Sequence, residues 1–142
     1  MSLHQDTGKC DWCRKIFDQF KGFSPVLRDW FEALQAEVPE AHISCAGRGR
    51  IEQEADFHKR VSNAHFGQSA HNYNAAIDIF RSAPTVNEMY DKAWFRTNIG
   101  PKISRILNWY GTPGSPFYEL PHVELRDWKA MVSRGDLFLV EP

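Results

Sequence analysis

Two short stretches of this chain hold side chains that could act together chemically. The first is Ser69-Ala70-His71-Asn72-Tyr73-Asn74-Ala75-Ala76-Ile77-Asp78, where a histidine and an aspartate are separated by a polar turn. Asp78 interrupts an apolar run over residues 75–80, and a carboxylate there needs a partner to offset its desolvation. A metal ion is one such partner; a capped turn or an arginine is another. The second stretch is Phe117-Tyr118-Glu119-Leu120-Pro121-His122-Val123-Glu124-Leu125. Pro121 forbids a regular helix, so Glu119 and His122 cannot share a helical face as in an H-E-x-x-H zinc motif. They can converge if the chain bends at Pro121 between two extended pieces. Two histidines and one carboxylate make a three-ligand zinc set with room for water, and a further glutamate can serve as general base.

Those side chains must be positioned by elements that the patterning also outlines. Over residues 10–20, Trp12, Ile16, Phe17 and Phe20 recur at three- and four-residue spacings, which predicts a helix broken at Gly22. Ser24 then caps a second helix with Pro25 at its first position. Val26, Trp30, Leu34 and Val38, with Phe31 beside them, form its core face, and it stops near Pro39. Residues 42–46 predict a short buried strand ending in the turn Gly47-Arg48-Gly49, and residues 51–59 a third helix. A polar, aperiodic stretch over 61–74 leads into a strand over 75–80. Helices are expected over 88–96 and 102–107, parted by Gly100-Pro101, followed by a Gly/Pro-rich loop over 110–116. A strand around Val123 and Leu125 and a short helix over 126–133 complete the pattern. Few strands, far apart and separated by helices, imply an α+β fold: a small antiparallel sheet with helices packed on one side.

Composition narrows the function classes. The 142 residues are 42% hydrophobic and 25% charged, the profile of a folded globule, and no linker or repeat divides residues 1–142, so one domain is expected. Lys+Arg number 17 against 18 Asp+Glu, a net charge of -1, which argues against a mainly electrostatic nucleic-acid binder. No apolar run approaches the roughly 20 residues of a membrane-spanning helix, so membrane insertion is not expected. The opening MSLHQDTGKC has neither the apolar core nor the cleavage site of a signal peptide, and three cysteines are too few for a disulfide framework. Synthesis in a reducing cytoplasm, as a monomer, is the expectation.

Together the two stretches resemble the zinc peptidases of the D-Ala-D-Ala carboxypeptidase and L-alanyl-D-glutamate endopeptidase family (the VanX/VanY type), and most of all its short bacteriophage endolysins. The family motif S-x-H-x-x-G-x-A-x-D is matched by Ser69, His71, Ala76 and Asp78, and a second, D/E-x-P-H-x-E, by Glu119, Pro121, His122 and Glu124. Upstream, Gly47-Arg48-Gly49 followed by Glu52-Gln53 resembles the family's G-Y-R-S-x-x-E-Q stretch without its tyrosine. The likeness runs over residues 42–125; residues 1–24, read as an N-terminal helical segment, carry no motif. One departure is Asn74 in place of the motif glycine, a residue that best tolerates positive φ after glycine.

The resemblance implies a hedgehog/DD-peptidase-like fold with one zinc per chain at the sheet. His71, Asp78 and His122 would hold the metal and Glu119 would act as general base. Arg48 would sit beside the substrate, with Arg50 two residues on as its competitor, and Ser69 and Glu124 would support the ligands from behind. The implied substrate is the peptidoglycan stem peptide, cut between L-Ala and D-Glu or at terminal D-Ala-D-Ala. Residues 110–116, small and uncharged, would form one wall of an open groove, which favours the L-Ala–D-Glu bond. The endolysin likeness implies a protein that accumulates in the cytoplasm and meets the cell wall after release. A non-catalytic zinc module that recognises wall or protein is the reading from another class, and Glu119 argues against it.

Other features are set aside at this stage. Cys10-Asp11-Trp12-Cys13 is a lone C-x-x-C whose conceivable zinc partners are His4 and Cys45; on a helix the two cysteines simply share a face beside the core. His4, His42, His58 and His65 have no partner at ligand spacing. Trp94, Phe95, Trp109, Tyr110 and Phe117 are expected in the core, some of them beside the groove.

Overall fold

A computed structural model describes residues 3–111 and 119–140. Residues 3–9 form no helix or strand, and α1 (Asp11–Asp18) begins where Cys10 caps it, the thiol accepting from the Cys13 amide. The buried face of α1 is Cys10, Cys13 and Phe17, whereas Trp12, Ile16 and Phe20 pack only in part against the core. Ser24 caps α2 (Pro25–Glu37) by accepting from the Leu27 amide, with Pro25 at the first position as expected. Leu27, Phe31 and Leu34 are the side chains of α2 that the core takes up.

The strands make one four-stranded antiparallel sheet in the order β1-β2-β4-β3. They are β1 (Ala41–Cys45), β2 (Ala76–Arg81), β3 (Leu107–Tyr110) and β4 (Glu119–Leu125). Ile43 pairs with Ile79, Ile77 with Val123, and Leu107 with Leu125, so their side chains share the buried face of the sheet. Helix α3 (Arg50–His58) follows β1, and a 3-10 turn (Ala70–Tyr73) leads into β2. The small antiparallel sheet with packed helices is the α+β architecture read from the sequence. No helix among the described residues is long and apolar enough to cross a membrane.

Two elements differ from the sequence reading. The helix expected over 88–96 is two, α4 (Val86–Met89) and α5 (Lys92–Asn98), because the Asp91 carboxylate accepts from the Trp94 amide and starts a new helix. The helix expected over 102–107 does not form. A 3-10 turn (Gly100–Lys102) and an irregular stretch deliver Leu107 into β3, a case of a short apolar run that fits either period. Around Pro121 the chain is extended as expected, with both pieces belonging to β4. Its pairing with β3 jumps from Trp109 opposite Val123 to Tyr110 opposite Glu119, so the proline falls in an irregularity and no ladder bond is missed. The short helix α6 (Trp128–Ser133) is close to expectation. Residues 112–116 of the expected groove-wall loop, and Phe117, lie outside the described residues.

Asn74 stands at the junction on which the site depends. Its φ of 58° and ψ of 33° are left-handed, it closes the 3-10 turn, and its side-chain amide donates to the Lys21 carbonyl at 3.2 Å. Close by, Gly47 leaves no room for a Cβ against Phe20 and Asn74. The left-handed geometry makes a prediction. In denaturant unfolding followed by circular dichroism, Asn74→Gly should stay near wild type while Asn74→Ala loses about 1–2 kcal/mol. Equal stability of the alanine variant and wild type would show that this backbone geometry imposes no constraint.

Candidate metal centre and groove

The sheet register brings the first two site residues together, since Asp78 of β2 is the direct partner of His122 of β4. The 3-10 turn brings the third. Ser69 accepts from the His71 amide at 3.3 Å and shares a reciprocal cap with Asn72, which places His71 above Asp78. His71 Nε2 lies 3.2 Å from Asp78 Oδ1 and 3.2 Å from His122 Nδ1, and His122 Nδ1 lies 3.4 Å from Asp78 Oδ1. The three atoms form a nearly equilateral triangle.

Both imidazoles are held from behind. His71 Nδ1 donates to the Ala46 carbonyl at 2.7 Å, and His122 Nε2 donates to Glu124 at 2.7 Å. With its proton on the outer nitrogen, each ring would turn its inner nitrogen toward a cation as an acceptor. Two imidazole nitrogens and a carboxylate oxygen this close together call for positive charge among them, from a metal ion or from protons on the rings. The pKa directions express that demand for positive charge. Burial alone would lower His71, yet the adjacent Asp78 charge reverses this and carries it well above its usual value. His122 is likewise raised, by Asp78 and Glu124 against burial. Burial would raise Asp78, but the two histidines hold it far below the usual carboxylate range.

The donor set fits zinc. Nitrogen and oxygen ligands at 2.0–2.2 Å in a tetrahedron lie about 3.3–3.5 Å apart. The measured separations of 3.2, 3.2 and 3.4 Å need only small adjustments to meet that. Three such ligands leave the fourth position open to a groove of about 830 Å³ lined by Arg48, Asp78, Tyr110, Glu119, His122 and Trp128 among others. A carboxylate oxygen of Glu119 lies within 4.8 Å of the ligand atoms of Asp78 and His122. Burial, above all, raises the Glu119 pKa, and Asp78 adds to it while His122 opposes it.

Arg48, Ser69, His71, Asp78, Glu119, His122 and Glu124 all line this groove. Arg48 reaches Asp78 Oδ2 from Nη2 at 3.4 Å, while Arg50, which is not among the lining residues, stacks on the Phe66 ring with its guanidinium 4.7 Å from the centroid. Glu124 supports His122, and Ser69 supports the turn rather than an imidazole. Two contributors were not read from sequence. Trp128 donates from Nε1 to Glu124 Oε2 at 3.0 Å, a Glu-Trp pair four residues apart that bridges β4 and α6. Cys45, set opposite Asp78 by an irregularity in β1, places its sulfur 3.8 Å from His71 Nδ1.

The site thus sets two imidazoles and two carboxylates together on a small antiparallel sheet, at the floor of a groove. A solved structure shares this fold: the L-Ala D-Glu endopeptidase ChiX of Serratia marcescens. The TM-score is 0.64 at 15% sequence identity, over 83% of this chain and 89% of that one. No protein-family model matches the sequence, and no curated protein matches it.

The clasp on His122 yields a prediction. Glu124→Ala should weaken zinc binding about 10- to 100-fold in competition with a chromogenic chelator, because His122 loses the acceptor that orients it. Unchanged affinity would remove Glu124 from the support of the centre.

Proposed function

We propose that the chain is a zinc-dependent peptidoglycan hydrolase that cleaves the stem peptide between L-Ala and D-Glu. The observation that carries this reading is the triangle of His71, Asp78 and His122 with Glu119 beside it, opening onto a groove in a fold shared with an L-Ala D-Glu endopeptidase. It agrees with the sequence resemblance, which rests on the same residues.

When bound, zinc supplies Lewis acidity to the scissile carbonyl and lowers the pKa of a water molecule. The chain's own groups do the rest. Glu119, with its raised pKa, accepts the proton of the attacking water and returns it to the departing amine, as a base tuned toward neutrality can. Arg48 is held by Asp78 and by Asp56, 3.4 Å from Nε, so its guanidinium stands in a fixed pose at the groove. A planar, permanently charged fork suits the free α-carboxylate that D-Glu offers beside the bond. The open groove accepts chain on both sides of that bond, which an endopeptidase requires.

Three outcomes are expected. His122→Ala should lose the metal of this centre by elemental analysis. Glu119→Gln should keep that metal while hydrolysis of purified peptidoglycan falls by a factor of about 100 or more; near wild-type turnover would revive a binding-module reading. Mass spectrometry of the digest should show new D-Glu amino termini. Free D-Ala without such termini would assign the activity to a D-Ala-D-Ala carboxypeptidase instead.

A further inference from the structure

A second group of ligand-type side chains lies on the first half of β1. His4 comes from the irregular segment before α1, Cys10 and Cys13 from the start of α1, and His42 from β1. One donor atom from each of the four lies within 4.8 Å of all the others. His4 Nδ1 is 3.6 Å from Cys10 Sγ and 3.4 Å from Cys13 Sγ, and His42 Nδ1 is 3.6 Å from Cys13 Sγ. In a tetrahedral zinc site with Zn–S near 2.3 Å and Zn–N near 2.0–2.1 Å, sulfur and nitrogen lie about 3.5–3.6 Å apart. The measured separations bracket that value. We propose that His4, Cys10, Cys13 and His42 bind one zinc ion as a structural site, separate from the groove, which ties the N-terminal segment and α1 to the edge strand β1.

The surroundings are those of a ligand set. Backbone amides point at both sulfurs: Gln5 and Cys13 at Cys10 Sγ, at 3.3 and 3.4 Å, and Ile43 at Cys13 Sγ, at 3.5 Å. Such donors stabilise thiolates. His42 Nε2 donates to Asp6 Oδ1 at 2.6 Å, which turns the Nδ1 lone pair toward Cys13 and repeats the carboxylate–histidine pairing of Glu124 and His122. Cys10, Cys13 and His42 are all but fully buried. Two thiolates cancel the charge of a divalent ion, so the four-ligand set is neutral and tolerates that burial. With all four positions filled by protein, no place remains for a reacting water.

Residues 3–9 read Leu-His-Gln-Asp-Thr-Gly-Lys, and their one large apolar side chain, Leu3, is 63% exposed. The segment brings His4, whose ring meets Phe80 edge-on, and Asp6 onto the two ends of the cluster. His42 lies three residues before Cys45 on β1, roughly 10 Å along the strand, so the two centres are distinct. The partner set differs from the one that spacing suggested, with His42 in the place of Cys45.

The test is metal stoichiometry and cobalt spectroscopy on the full chain purified under reducing conditions. Wild type should hold two zinc equivalents, and Cys10→Ser/Cys13→Ser should hold one. His71→Ala/His122→Ala should also hold one and, loaded with Co(II), should show a thiolate-to-metal charge-transfer band. That band should persist in Cys45→Ser, which separates it from the thiol near Asp78. If the cysteine double variant fails to fold, the His71→Ala/His122→Ala chain decides alone. Absence of metal or of the band in that chain overturns the site. So does a Cys10–Cys13 disulfide in the wild type, seen as a loss of two hydrogens in the intact mass.

Discussion

Asp78 is a carboxylate set in the middle of a central strand, with Ile77 and Ile79 buried on either side of it, and the groove is organised around what that placement demands. A charge in such a position is costly unless compensating charge lies within a few ångströms. The compensation comes from three directions. His122 arrives by strand register, His71 by the 3-10 turn seven residues upstream in sequence, and Arg48 from the end of β1. None of the three is a neighbour of Asp78 in the chain. The sheet and the turn must both be formed before the carboxylate is satisfied, so the charge favours one arrangement of these elements over looser alternatives.

The same arrangement explains why the centre is preorganised. A histidine free to rotate presents either nitrogen, and fixing it costs side-chain entropy at the moment a metal binds. Here the Ala46 carbonyl and the Glu124 carboxylate have fixed both rings in advance, and Trp128 fixes Glu124 in turn. Asn74 and Gly47 complete the support, one by accepting a left-handed backbone and the other by leaving room for Phe20 and Asn74. The inner nitrogens of the two rings and the carboxylate oxygen stand 3.2–3.4 Å apart, an arrangement that a cation among them would stabilise.

Local signals and contiguous motifs were readable from sequence; long-range juxtapositions were not. Ser24 with Pro25 marked the start of α2 because a cap is a local hydrogen-bond demand, and Asn74 announced its left-handed φ for the same reason. The motif around His71 and Asp78 survives translation because the turn and strand that carry it are continuous. Pro121 excluded a helix and left extended chain on both sides, as β4 shows, but the irregularity in the pairing of β3 with β4 that holds it belongs to two strands and is not legible in one. Residues 102–107 misled because a short apolar run fits both periods. His42 was passed over for a different reason: its neighbours in space, Cys13 and His4, are 29 and 38 residues away, and no spacing rule connects them.

Strand β1 contributes side chains to two separate clusters of ligand-type residues. Regular pairing from Ile43 opposite Ile79 would place Ser44 opposite Asp78. The register instead slips by one residue, and Cys45 takes that position. Before the slip, His42 stands opposite Phe80 within reach of the N-terminal cysteines; after it, the strand delivers Cys45, the Ala46 carbonyl and Arg48 to the groove. Without the slip, the residues after it would advance one place along β2, and Ala46 and Arg48 would be offset from His71 and Asp78. Because pairing register also sets which face a side chain occupies, a one-residue shift cannot be made up by side-chain rotation. The irregularity in β1 is thus a requirement of the groove. The regular half of the strand keeps His42 in register beside Phe80, and an anchored N-terminal segment would help hold that half in place while the other half departs from it.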